Sequence, residues 1–129
     1  MAIEIDLLKT INYFSGLDTD ELRSIQKYIT EKTAKKGDVF LFEGEWSEYL
    51  FFLLSGLVKV YKISQNGKEQ ILHIAPPGDS LNDVSTFDGG TNQASMLAMT
   101  PIHLYAIRKT DLNTVLRDYP RIYCLLYTS

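Results

Sequence analysis

A chain of 129 residues, 45% of them hydrophobic and 22% charged, holds one domain with a real core; it is too short for two and too apolar for disorder. A net charge of −3 with scattered basic residues excludes the basic stripe of a direct nucleic-acid binder. The single cysteine, Cys124, excludes an internal disulfide, a Cys-rich metal site and a thiolate-held iron–sulfur cluster.

Ile3, Leu7, Leu8, Ile11 and Phe14 recur at helical spacing, which predicts a first helix over residues 3–14. The first residues, Met-Ala-Ile-Glu-Ile-Asp, lack the positive n-region and long apolar core of a secretory signal peptide. Ser15-Gly16 breaks the pattern. Asp18 then has the character of an N-cap with Glu21 three residues on, an Asp form of the capping box. Leu22, Ile25, Tyr28 and Ile29 supply the apolar face of this second helix.

Beyond Lys36 the pattern changes. Gly56, Gly67, Gly78 and Gly89 punctuate the chain every eleven residues. Between these and the earlier Gly37 and Gly44 lie short runs rich in β-branched, aromatic and aliphatic residues: 39–42, 49–54, 57–61, 70–74, 95–99 and 102–107. Strands and turns at this interval predict an antiparallel sandwich or barrel. Asn66-Gly67 is a strong hairpin signal, because both residues tolerate positive φ. The longest apolar run, Leu50 to Leu54, is far too short to span a bilayer, so a cytoplasmic protein with no membrane partner is expected. Thr110 or Asp111 can cap a helix over Leu112 to Leu116, and Pro120 ends it or opens the next. Arg121 to Leu126 begins an apolar helix that stops abruptly. The last six residues also match what translation of a sequencing adapter yields, so no chemistry is rested on Cys124.

Several of these segments together carry a family resemblance. Lys36-Gly-Asp-Val-Phe-Leu-Phe-Glu-Gly44 is similar to the first strands of a cyclic-nucleotide-binding β-roll, and Leu50 to Tyr61 to its next hairpin. Gly78 to Ala94 resembles its phosphate-binding cassette, and Asp111 onward the start of its C-terminal helices. In overall pattern the chain resembles the N-terminal sensor domain of a Crp/Fnr-type transcription regulator. The resemblance implies a mainly β fold with flanking helices: a double-stranded β-roll, or jelly roll, of eight strands. It implies a helical part over residues 1–34, the roll over 35–109 and the start of C-terminal helices over 110–129. It further implies a full-length homodimer, joined by a long helix, that meets DNA through a helix-turn-helix domain absent from these residues.

The cassette departs from nucleotide binders at every polar contact. The family tends to place Gly-Glu where this chain has Asn82-Asp83, Arg where it has Gln93, and Ser or Thr where it has Ala94. No Lys or Arg occurs from Glu69 to Ile107, although a phosphate needs cations or helix-end N–H groups. Losing the Arg and the hydroxyl should weaken cyclic-nucleotide affinity by about two orders of magnitude or more. The candidate pocket residues are Leu81, Asn82, Asp83, Val84, Asn92, Gln93 and Ala94. Leu57, Val58, Leu72 and Ile74 are expected as the inner wall, giving a nearly uncharged site for a small neutral or apolar effector.

Simpler roles compete with each candidate. Asn82 and Asp83 suit the N-cap of a short helix over Val84 to Phe87, and Gly89-Gly90 suits the turn after it. His73 and His103 fit as strand residues, with haem ligation the alternative. Met96 and Met99 fit as packing residues rather than axial ligands. Trp46 lies in a polar turn and suits either a contact surface or a tuck against the roll. No nucleophile elbow or paired histidines appear, so no enzyme and no cofactor are expected. The leading expectation is an effector-sensing domain. Its rivals are a regulatory module of an enzyme or channel and, with less support, a small jelly-roll enzyme.

Overall fold

The computed structural model describes residues 16–82, 90–118 and 120. The helix expected over 3–14, the cassette helix over 84–87 and the segment 121–126 lie outside them. Among the described residues two helices flank eight strands. They run α1 (Thr19–Gln26), β1 (Ile29–Ala34), β2 (Val39–Leu41), β3 (Tyr49–Ser55), β4 (Val58–Ile63), β5 (Glu69–Ala75), β6 (Ser80–Leu81), β7 (Ser95–Ala98), β8 (Ile102–Arg108) and α2 (Lys109–Asp118).

The strands form two four-stranded sheets, in the orders β1-β8-β3-β6 and β2-β7-β4-β5, with every pair antiparallel. This is the expected mainly β roll with flanking helices. The two central strands of the first sheet, β8 and β3, are covered on both faces. Phe51 and Leu53 of β3, with Leu104 and Ala106 of β8, point between the sheets and meet Val58, Val60, Leu81 and Met96. Leu50 and Phe52, with Tyr105 and Ile107, point the other way and pack under Leu22 and Ile25 of α1 and Leu112 and Val115 of α2. A strand with both faces buried needs apolar residues at every position, which explains the unbroken Leu50-Phe-Phe-Leu run. Burying such a side chain contributes about 1.5–3 kcal/mol.

Local signals decide the ends of elements. Asp18 caps α1, its carboxylate accepting from Glu21 N at 2.8 Å while Glu21 Oε1 accepts from Asp18 N at 3.1 Å. The helix stops at Gln26, so Ile29, expected on its face, instead opens β1 and pairs with Ile107. The roll therefore starts before residue 35. Strand β1 is a polar edge strand, Ile-Thr-Glu-Lys-Thr-Ala, without the alternation that marks a strand in sequence. Helix α2 starts at Lys109, whose N–H donates to Glu48 O at 2.8 Å, which places Thr110 and Asp111 inside its first turn rather than at its cap.

The β4–β5 hairpin forms at Asn66-Gly67, but not as a two-residue turn with both residues at positive φ. Gly67 N–H closes on Ser64 O at 2.9 Å, and Gly67 alone of the pair takes a positive φ, of 77°. A turn followed by a left-handed glycine is the longer hairpin solution.

Gly56 is the tightest turn. At φ 92°, an added Cβ would stand 2.5 Å from Pro101 O and 2.7 Å from Ile102 Cγ2. Gly37 has the same φ of 92°, with nothing within 4 Å of that position. The two glycines therefore separate backbone strain from collision. Gly37→Ala should cost about 1–2 kcal/mol, for strain alone. Gly56→Ala should cost at least about 2 kcal/mol more, because the clash falls on backbone. Urea unfolding followed by circular dichroism checks both values.

Candidate ligand-binding site in the β-roll

An open cavity of about 710 Å³ lies against the inner face of the second sheet. Strand β4 contributes Val60 and Lys62, and β5 contributes Gln70, Leu72 and His73. Ser80, Leu81 and Asn82 enter from one flank of the cassette, and Gln93, Ala94 and Met96 from the other. Of the candidate residues, Leu81, Asn82, Gln93 and Ala94 thus line one cavity. Asn92 lies buried beside them, outside its wall. Asp83 and Val84 fall outside the described residues.

The expected inner wall holds in part. Val58 is buried in the roll, and Leu72 lines the cavity while remaining 46% exposed; Leu57 and Ile74 are exposed and stand outside its lining. A bulge separates Leu72 from Ile74. Val60 pairs with His73, and the next residue, Tyr61, pairs with Ile71, so Leu72 is an extra residue. Ile74 sits opposite Lys59, which lies over the Tyr61 ring and bridges to Glu69 at 2.8 Å on the outer face.

The cavity is also more polar than expected. Lys62 stands among its lining residues, supplied by β4 rather than by the cassette. Simple alternation from Val58 and Val60 would have placed Lys62 inward, so the signal was in the sequence. His73 lines the cavity, whereas His103 belongs to the other sheet, with its Nε2 3.4 Å from Glu31. Tyr105 and Ile107, which alternate with His103 along β8, face the helices rather than the cavity. The two histidines therefore do not face one group. Met96 lines the cavity and Met99 is exposed. Among the described residues, no three His, Cys, Asp or Glu side chains stand where they could hold a metal ion.

Asn82 has a specific structural role. It sits at φ 76°, a left-handed conformation that asparagine tolerates better than most residues. A helix N-cap is extended instead. Its Nδ2 lies 2.9 Å from Ser47 Oγ, 3.1 Å from Tyr49 O and 3.0 Å from Asn92 Oδ1. Two amide hydrogens thus face three acceptors. Asn92 continues the chain of contacts, its Nδ2 donating to Phe42 O at 3.0 Å and its backbone N–H to Glu45 O at 2.8 Å. Ser47 N–H donates to Gly90 O at 3.1 Å. These bonds clip both flanks of the cassette to the loop between β2 and β3. Trp46, in that loop, bridges through its backbone to Thr91 and is 73% exposed, which resolves its position in favour of an open surface. A second opening of about 380 Å³, lined by Phe40, Phe42, Trp46 and Tyr49, lies beside the clip.

The defining pattern of the cyclic nucleotide-binding domain matches residues 31–119. The chain belongs to the cyclic nucleotide-binding domain family. Within this family it is similar to the CRP-like cAMP-activated global transcriptional regulator of Mycobacterium tuberculosis, at 25% identity over 91% of this chain and 52% of that protein. It is also similar to the N-terminal domain of a transcriptional regulator from Streptomyces coelicolor A3(2), at 27% identity and a TM-score of 0.80, covering 96% of this chain and 85% of that one. The sensor domain of the transcriptional regulator DNR from Pseudomonas aeruginosa shares the fold, with a TM-score of 0.84 at 23% identity over 95% of this chain and 82% of that one. The chain spans about half the length of the curated regulator it matches. No helix among the described residues is long and apolar enough to cross a membrane.

The clip makes a quantitative prediction. Asn82→Gly keeps the backbone conformation accessible and removes the amide, so it should cost about 1–3 kcal/mol. Asn82→Ala should cost about 1 kcal/mol more, because alanine resists positive φ. Thermal and urea unfolding of the two variants measures the difference; equal stabilities would show that the left-handed turn opens when the amide is lost.

Proposed function

We propose that this chain is the effector-sensing domain of a Crp/Fnr-like transcription regulator, a cytoplasmic binding module and not an enzyme. The observation that carries this reading is the cavity built from both flanks of the cassette and the inner faces of β4 and β5. The regulators it resembles support the same reading. A small molecule in the cavity would bias a two-state equilibrium in proportion to its differential affinity for the two states. A route outward exists through packing. Leu112 and Val115 of α2 rest on Leu50, Phe52, Tyr105 and Ile107, strand residues whose neighbours in sequence face the roll interior. In the full regulator the helices after α2 would pair two copies, and a DNA-binding part not contained in these 129 residues would respond.

Cyclic AMP is not the proposed effector. Gln93 and Ala94 offer neither the cation nor the hydroxyl that the family's nucleotide binders use. Calorimetric titration should give dissociation constants weaker than about 100 μM for cyclic AMP and cyclic GMP. The double variant Gln93→Arg/Ala94→Ser should bind at least about tenfold tighter. A low-micromolar constant for the unaltered chain would overturn this part of the reading. Coding sequence that continues past Ser129 into a long helix and a helix-turn-helix supports the regulator. Continuation into a channel or kinase-associated domain would overturn it in favour of a module attached to another machine.

A further inference from the structure

Strand β4 carries two lysines with opposite fates. Lys59 faces outward, bridged to Glu69 at 2.8 Å and stacked over Tyr61 at 5.0 Å. Lys62 is half-buried, lines the cavity and has no ion-pair partner among the described residues. Among the described residues, no Asp or Glu lines the cavity with it, although the chain as a whole is acidic. A half-buried lysine with no carboxylate among these described neighbours leaves a positive potential at the cavity.

The register locates this charge. Strands β4 and β7 pair from Val58 and Ala98 to Tyr61 and Ser95. The same register carried one residue further sets Lys62 opposite Ala94, next to Gln93. Lys62 also pairs across β5 with Gln70, a second cavity residue. The cation that the cassette lacks therefore stands on the neighbouring strand. Val60, Leu72, Leu81 and Met96 supply the apolar part of the lining, beside the polar Gln70, His73, Ser80, Asn82 and Gln93.

We propose that Lys62 anchors an anionic effector in the roll cavity: a small organic carboxylate whose aromatic or aliphatic body packs on Leu72, Leu81 and Met96. This rests on the reading of the cavity as the effector site, and it replaces the neutral effector expected from the cassette alone. A lysine is a compact point charge on a flexible stem, and it holds an anion through a single contact rather than through the planar fork of arginine. Alanine at position 94 supplies no hydroxyl at the place where the family's cyclic-nucleotide binders tend to have one. A carboxylate needs one strong charge-assisted contact and an apolar slot, and both are present.

The test compares benzoate with benzyl alcohol, which has a similar body and no charge, by methyl chemical shifts of Leu72, Leu81 and Met96 during titration. Benzoate should bind at least about tenfold tighter than the alcohol. Its affinity should fall as salt rises from about 50 to about 500 mM. Lys62→Met should abolish the preference and Lys62→Glu should invert it, while Lys59→Met on the outer face leaves it intact. If the alcohol and the acid bind the cavity equally, or if Lys62→Met keeps the preference, the anion anchor is overturned and the cavity stands as a binding site. If neither probe moves these methyls, the effector reading of the cavity falls together with the anchor.

Discussion

Two adjacent strands with no solvent face hold this protein together. Strands β3 and β8 run antiparallel from Tyr49 opposite Arg108 to Ser55 opposite His103, and along this ladder alternate residues are claimed by different cores. One set closes the roll, and the other seats the helices. The two hydrophobic clusters are therefore not independent. A residue that shifts inside the roll moves a backbone whose next side chain supports α1 or α2. A close-packed interior transmits such shifts rather than absorbing them. This constraint explains why the sequence spends its longest apolar run on β3, and why the edge strands β1 and β5 can carry charge and polar residues at little cost.

Against that rigid ladder, the sheet that lines the cavity is built differently. Its outermost strand, β5, is exposed along most of its length, and the bulge at Leu72 twists its inner face. The cassette flanks are instead fixed by amide chemistry. Asn82 and Asn92 join Ser47, Tyr49 and Phe42 through side-chain bonds to side chains and carbonyls. Asparagines at these positions look, in sequence, like candidates for touching a ligand. In the fold their amides are engaged in holding the cassette to the loop between β2 and β3.

Much of this architecture was legible in the chain. The strand runs, the Asp18–Glu21 box, the glycine punctuation and the roll itself follow from patterns that local physics enforces. What escaped did so for definable reasons. Strand β1 is polar because it lies at an edge, and β6 has two residues, too few to show any period. Ile29 continued the helical spacing of α1, yet its partner is Ile107 on β8, a choice made by tertiary pairing. The separation of Leu72 from Ile74 depends on one extra residue in a strand, which no hydrophobic pattern announces. Lys62 is a different case. Alternation alone pointed it inward, but a charged residue on a core-facing register is discounted unless a cavity is already known to be there.

The loop that receives the cassette also holds the chain's one tryptophan, Trp46, already largely in water in the folded state. Indole emission depends on solvent contact, and unfolding will change that contact little. Intrinsic fluorescence is thus a poor thermometer for this fold. It is, however, a clean beacon for whatever comes to cover that loop. A blue shift in emission would report a newly shielded indole at the mouth of the second opening, with no other tryptophan to confuse the signal.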